Sequence, residues 1–147
     1  MKKRSATKRE PLEATTYFVD RSLGRRVADL LCAAGIQAIK HDDHFPEGTE
    51  DTVWLEEIGK SNWVVLTKDK CIRKRQHERE ALIAASVRMF VLTAGKDLRG
   101  EEMAQIFIDN ISRMERMIRK QPAPFIANVY RSEVRLTYPP PPPSSSE

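Results

Sequence analysis

Four aspartates in this chain stand directly after short apolar runs: Asp20 after Thr15-Thr16-Tyr17-Phe18-Val19, Asp42 and Asp43 after Ile36 to Lys40, and Asp69 after the run that begins at Trp63. Asp51, with Glu50 before it, opens a segment in which Trp54, Leu55 and Ile58 recur at helical spacing. Carboxylates gathered at one place repel one another, so some must keep a proton or all must share a cation. An oxygen-only ligand set favours Mg²⁺ or Mn²⁺ over zinc. Such an ion polarises a phosphoryl oxygen and supplies hydroxide for in-line attack on a phosphodiester.

The charge map suits a polyanionic substrate. From His41 to Glu57 there are seven acids and no Lys or Arg, whereas from Lys60 to Arg79 there are seven bases against Asp69 and Glu78. An acidic pocket with a basic rim can hold a metal and the phosphates flanking it. Most such charges, Glu56, Glu57, Arg75 and Arg79 among them, are expected on solvated faces. The chain total, +4 over 147 residues, conceals this segregation.

The elements that must position these acids alternate between strand and helix. Thr15 to Val19, Ile36 to Lys40, Trp63 to Thr67 and Arg88 to Leu92 read as buried strands. Between them lie a helix N-capped by Ser22, with Leu23, Val27, Leu30, Leu31 and Ala34 on its stripe and Gly35 at its end, a short helix capped by Asp51 or Thr52, and a helix from Glu78 to Ala85. His41 to Glu50 reads as a loop. Gly100 to Lys120 is the longest helix, with Met103, Phe107, Ile111, Met114 and Ile118 on one face, and Phe125 to Tyr138 reads as a closing edge hairpin around Arg131-Ser132-Glu133. Alternation of this kind implies right-handed crossovers and a mostly parallel central sheet in a three-layer α/β/α sandwich. In open parallel sheets, ligands bind beyond the carboxyl ends of the strands, and three of these strands deliver their acids to that edge. The domain is expected over residues 14–138, between a flexible basic arm at 1–13 and a disordered Pro/Ser tail at 139–147.

Other signals carry less. His41-Asp42-Asp43-His44, even with Cys71 and His77, matches no zinc-ligand spacing. Cys32 reads as a core residue of its helix, Trp54 and Trp63 as core anchors, and an Asp after a strand is also a common helix cap, a reading that stays open for Asp20. No apolar run is long enough for a membrane span, and the basic N-terminus lacks the apolar segment of a secretion signal. With two cysteines, this points to the cytoplasm.

Phe18-Val19-Asp20-Arg21-Ser22-Leu23-Gly24, Asp51-Thr52-Val53-Trp54-Leu55 and Val64-Val65-Leu66-Thr67-Lys68-Asp69-Lys70-Cys71-Ile72-Arg73, in this order, resemble the PIN-like domain family, and within it the compact branch akin to VapC-type toxins of toxin–antitoxin pairs. The resemblance spans Tyr17 to Val129 and implies an α/β sandwich that hydrolyses RNA with Mg²⁺ or Mn²⁺. It assigns Asp20, Asp51 and Asp69 as catalytic, metal-holding acids, and Thr67 as the residue shaping the turn, grouped with Arg21, Lys70 and Arg73 at the substrate. Typical members carry a further glutamate on an inserted helix, for which the segment between Gly35 and Asp51 is too short; Asp43, or else Asp42 or Glu50, would stand in as the fourth acid. The resemblance also implies a homodimer and an antitoxin that blocks the acidic pocket. The alternative is a PIN-like RNA- or protein-binding module with impaired catalysis.

Overall fold

Six apolar stretches pair into one mixed sheet in the computed structural model, which describes residues 15–68 and 76–139. The expected basic arm, and the Pro/Ser tail beyond its first proline, lie outside the described residues. The strands are β1 (Tyr17–Val19), β2 (Ala38–Lys40), β3 (Val64–Thr67), β4 (Arg88–Leu92), β5 (Phe125–Val129) and β6 (Val134–Tyr138), in the order β2-β1-β3-β4-β5-β6. All neighbours are parallel except β5 and β6. The described helices are α1 (Arg25–Ala33), α2 (His41–His44), α3 (Asp51–Ser61), α4 (Gln76–Ala84) and α5 (Gly100–Lys120).

Side chains alternate across the strands, so each strand feeds two cores. On one face Tyr17, Val19, Val64, Leu66 and Phe90 pack under α1 and α5 with Val27, Leu31, Phe107 and Met114. On the other, Phe18, Val65, Met89 and Val91 pack under α3 and α4 with Trp54, Leu55, Ile58 and Leu82. The result is the three-layer sandwich with an edge hairpin that the alternation of elements implied. The β5–β6 turn is tied down by Asn110 of α5, fully buried, whose Nδ2 donates to the carbonyls of Tyr130 and Arg131 at 2.9 and 3.2 Å.

Several local expectations change. Ser22 does not cap a helix: Asp20 caps a 3₁₀ turn at Arg21–Leu23 by accepting from the Ser22 N–H, and α1 starts only after Gly24. Gly24 sits at φ 89°, a conformation glycine adopts without strain, and this lets the chain turn from the 3₁₀ segment into α1. The segment read as a loop contains the single-turn helix α2, which carries Asp42 and Asp43. Cys32 is exposed rather than core. The buried stripe of α1 runs through Val27, Ala28 and Leu31, which turns the next residue outward, where its Sγ donates to the Ala38 carbonyl at 3.3 Å.

Candidate active site

The adjacency of β1 and β3 creates the site. Val19 stands beside Leu66 in register, and the Asp20 N–H donates to the Leu66 carbonyl at 2.9 Å, so the residues that follow each strand emerge together at the carboxyl edge of the sheet. Asp20 Oδ2 accepts from Thr67 Oγ1 at 2.9 Å and from the Ser22 N–H at 3.2 Å. Thr67 has a single hydroxyl proton, which it donates to Asp20, so in its 3.1 Å contact with Ser22 the serine is the donor. Ser22 Oγ in turn accepts from the Lys68 N–H at 3.2 Å. A directional chain therefore runs from Lys68 N–H through the Ser22 and Thr67 hydroxyls to one oxygen of Asp20. Each donor in it polarises the next.

Such a chain orients a carboxylate and leaves its other oxygen available. Among the described residues no basic side chain pairs with Asp20, and Oδ1 has no protein partner. A fixed, un-neutralised carboxylate oxygen is what a hard divalent cation requires. The acids of α2 are differently placed. Arg21 Nε holds Asp42 at 2.8 Å and its Nη2 lies 3.7 Å from Glu47, while Arg25 Nη1 holds Asp43 at 3.3 Å. Asp43 and Asp42 are thus neutralised by the 3₁₀ turn and α1, and Arg21, expected at a phosphate, is occupied by carboxylates.

A cleft of about 50 Å³ at this edge is lined by Asp20, Arg21, Arg25, Lys40, His41 and Asp42. His41 is buried, its ring 5.3 Å from those of Phe18 and Trp54, and its Nδ1 has no hydrogen-bond partner. Burial pushes its pKa below the ordinary imidazole value, an effect that the charges of Asp20 and Asp42 oppose and that of Arg21 reinforces. Among the described residues no three His, Cys, Asp or Glu side chains converge as a metal group.

Of the expected site residues, the structure brings Asp20 and Thr67 into contact. Thr67 is fully buried, and its hydroxyl donates to Asp20. Asp51 opens α3, though its side chain lies outside the described set, as do Asp69, Lys70 and Arg73. Sequence reasoning does not single out Ser22 or His41 as site residues. Ser22 resembles an ordinary cap, and its bond to Thr67 depends on strand order, which no local signal reveals.

A family model described as "PIN like domain" matches residues 15–94, more than half of the chain. The chain belongs to the PIN-like domain family. This PIN-like chain is 30% identical over 122 residues, covering 80% of its length and 87% of the relative's, to the Mycobacterium tuberculosis (strain ATCC 25618 / H37Rv) protein named "Putative ribonuclease VapC45". No solved structure matches it. The matched segment of the PIN-like domain contains Asp20, Thr67 and Asp69 together, so the hydroxyl-to-carboxylate chain lies wholly inside the family region.

Proposed function

We propose that the chain is a metal-dependent endoribonuclease, the toxin of a toxin–antitoxin pair acting in the cytoplasm. The observation that carries this reading is Asp20, oriented through one oxygen by Thr67 and Ser22 while its other oxygen has no partner among the described residues. The relative's printed description as a ribonuclease supports it. Asp20 with Asp51 and Asp69 would hold Mg²⁺ or Mn²⁺, and Asp43, released from Arg25, would be the fourth acid. When bound, the ion lowers the pKa of water and polarises the phosphoryl oxygen of an RNA phosphodiester.

The protein's own contribution is orientation and charge. Thr67 and Ser22 hold the Asp20 carboxylate in one rotamer, so no reorganisation of that ligand is needed on binding. Lys70 and Arg73, and Arg21 once it exchanges Asp42 and Glu47 for substrate, contact the RNA backbone, where the guanidinium fork matches a phosphate. An antitoxin would inhibit by presenting Arg or Lys to the acidic pocket around Asp20, and the toxin would act as a homodimer.

The test is cleavage of single-stranded RNA in Mg²⁺ or Mn²⁺ by the wild type, Asp20→Asn and Asp69→Asn. Each substitution is expected to lower the rate by about 100-fold or more, and Mn²⁺ to raise the melting temperature of the wild type but not of Asp20→Asn. Undiminished cleavage by Asp20→Asn refutes the site. A second reading, a PIN-like binding module with impaired catalysis, is favoured by one observation: both α2 acids are already paired with arginines. Its signature is a wild type that neither cleaves RNA nor is stabilised by Mn²⁺.

A further inference from the structure

At the opposite edge of the sheet, where β1, β3 and β4 begin, lies a cavity of about 480 Å³ that the nuclease chemistry does not use. Thr15, Thr16, Asn62, Arg88, Ile118 and Gln121 help to line it, and among the described residues no Asp or Glu does. Arg88 opens β4 beside Val64, which in turn stands beside Tyr17, so all three side chains leave the same face of the sheet. Its Nη2 donates to Asn62 Oδ1 at 2.8 Å, and Asn62 is itself fixed at φ 63° at the end of α3.

Arg88 has no carboxylate partner among the described residues; other described cations without one, such as Lys68, Lys96, Arg116 and Arg119, are exposed, whereas Arg88 is half-buried. A guanidinium carries five N–H donors, and the bond to Asn62 uses one. Burial pushes the Arg88 pKa down. Next to it the Tyr17 hydroxyl is buried with no hydrogen-bond partner. A half-buried cation with unused donors, in a cavity of small-ligand size with no acid among its described lining residues, selects an anion.

We infer that this cavity binds a nucleotide through its phosphate, with Arg88 as the phosphate-binding residue. The planar fork pairs with two phosphate oxygens at once, and the cavity has room for far more than the phosphate group alone. The Thr15 hydroxyl and the Gln121 amide offer both donors and acceptors to a ribose or base, and Ile118 supplies an apolar wall. The nucleotide comes either from the free pool or from an RNA strand, and neither source depends on Asp20 acting as a metal ligand.

Titration calorimetry of the full chain at low salt separates these sources, using inorganic phosphate, adenosine 5′-monophosphate and a short 2′-O-methyl oligonucleotide that cannot be cleaved. The mononucleotide is expected to bind more tightly than phosphate, and Arg88→Gln to weaken it by about tenfold or more. Thr15→Glu, which adds an acid at the cavity, gives the same loss should Arg88→Gln fail to fold. Asp20→Asn leaves mononucleotide binding unchanged. Tighter binding of the oligonucleotide than of the mononucleotide, lost in Arg88→Gln, assigns the site to an RNA strand, and the reverse to a free nucleotide. Phosphate binding as tightly as the nucleotide overturns the assignment, as does wild-type protein binding no probe at about 10 mM, or folded Arg88→Gln and Thr15→Glu binding like the wild type.

Discussion

Replacing Thr67 with valine keeps the shape of a fully buried side chain and deletes its hydroxyl, and with it the 2.9 Å bond to Asp20 and the 3.1 Å bond from Ser22. A hydrogen bond to a charged group contributes about 1.5–3 kcal/mol. Asp20 is only partly buried, so water replaces part of that interaction and the loss falls near the lower end, about 1.5 kcal/mol. In a domain of this size that corresponds to a fall in melting temperature of roughly 5–8 °C. The functional loss is separate. With Oδ2 held only by the Ser22 N–H, the carboxylate gains rotational freedom, and loss of an orienting partner lowers metal affinity or activity by about 10- to 100-fold. Thermal unfolding, Mn²⁺ titration and RNA cleavage should be measured on Thr67→Val, Thr67→Ser, Asp20→Asn and the Thr67→Val/Asp20→Asn pair. Thr67→Ser is expected to retain most of the affinity because it keeps the donor. The double variant should lose little more than Asp20→Asn alone, since the two residues act as a unit. If Thr67→Val is destabilised yet binds Mn²⁺ and cleaves RNA within about twofold of the wild type, the hydroxyl stabilises the fold without positioning Asp20.

Further outcomes follow from residues away from that contact. Gly59→Ala should destabilise the protein by about 1–3 kcal/mol in urea unfolding, because the added Cβ collides with the Ala85 carbonyl oxygen where α3 packs on α4. Asn110→Leu should cost about 2–4 kcal/mol, leaving the Tyr130 and Arg131 carbonyls of the β5–β6 turn without their donor, and hydrogen exchange should accelerate in that turn. His41 gives a pH dependence. Its folded pKa is depressed below 6.5 by burial, so the unfolded chain takes up the proton first; its contribution to stability is complete above about pH 6.5 and is lost as pH falls toward the lower folded value. His41→Phe should flatten that acid limb of the urea midpoint, and an unchanged limb would show that other groups set it.

Long elements were legible in the residues, and short ones only approximately. β4, α5 and the two strands of the closing hairpin begin and end where the apolar period changes, as with Met103, Phe107 and Met114 against Arg99 and Gln121. Between Asp20 and Asp51 the elements are three to nine residues long, too short for periodicity to separate a cap from a 3₁₀ turn or a loop from one helical turn. Periodicity misplaces Cys32 for the same reason: with so few positions, a stripe through Leu30 and Ala34 and one through Ala28 and Leu31 fit nearly as well, and the choice rests with the packing of α1 on the sheet and α5.

The sequence by itself determined that acids would stand at the ends of parallel strands, because strand and helix alternate and right-handed crossovers return every strand to the same direction. It also carried Asp20 and Thr67 as separate candidates. Only the tertiary structure decided that they touch: β1 lies between β2 and β3, which brings together two side chains 47 residues apart. The same folding decided which acids have a basic partner among the described residues. Asp42 and Asp43 meet Arg21 and Arg25, while Asp20 meets hydroxyl and amide donors that orient it without cancelling its charge. Charge neutralisation depends on which side chains come within a few ångströms, and that distance is set by strand order and crossover geometry, not by position along the chain.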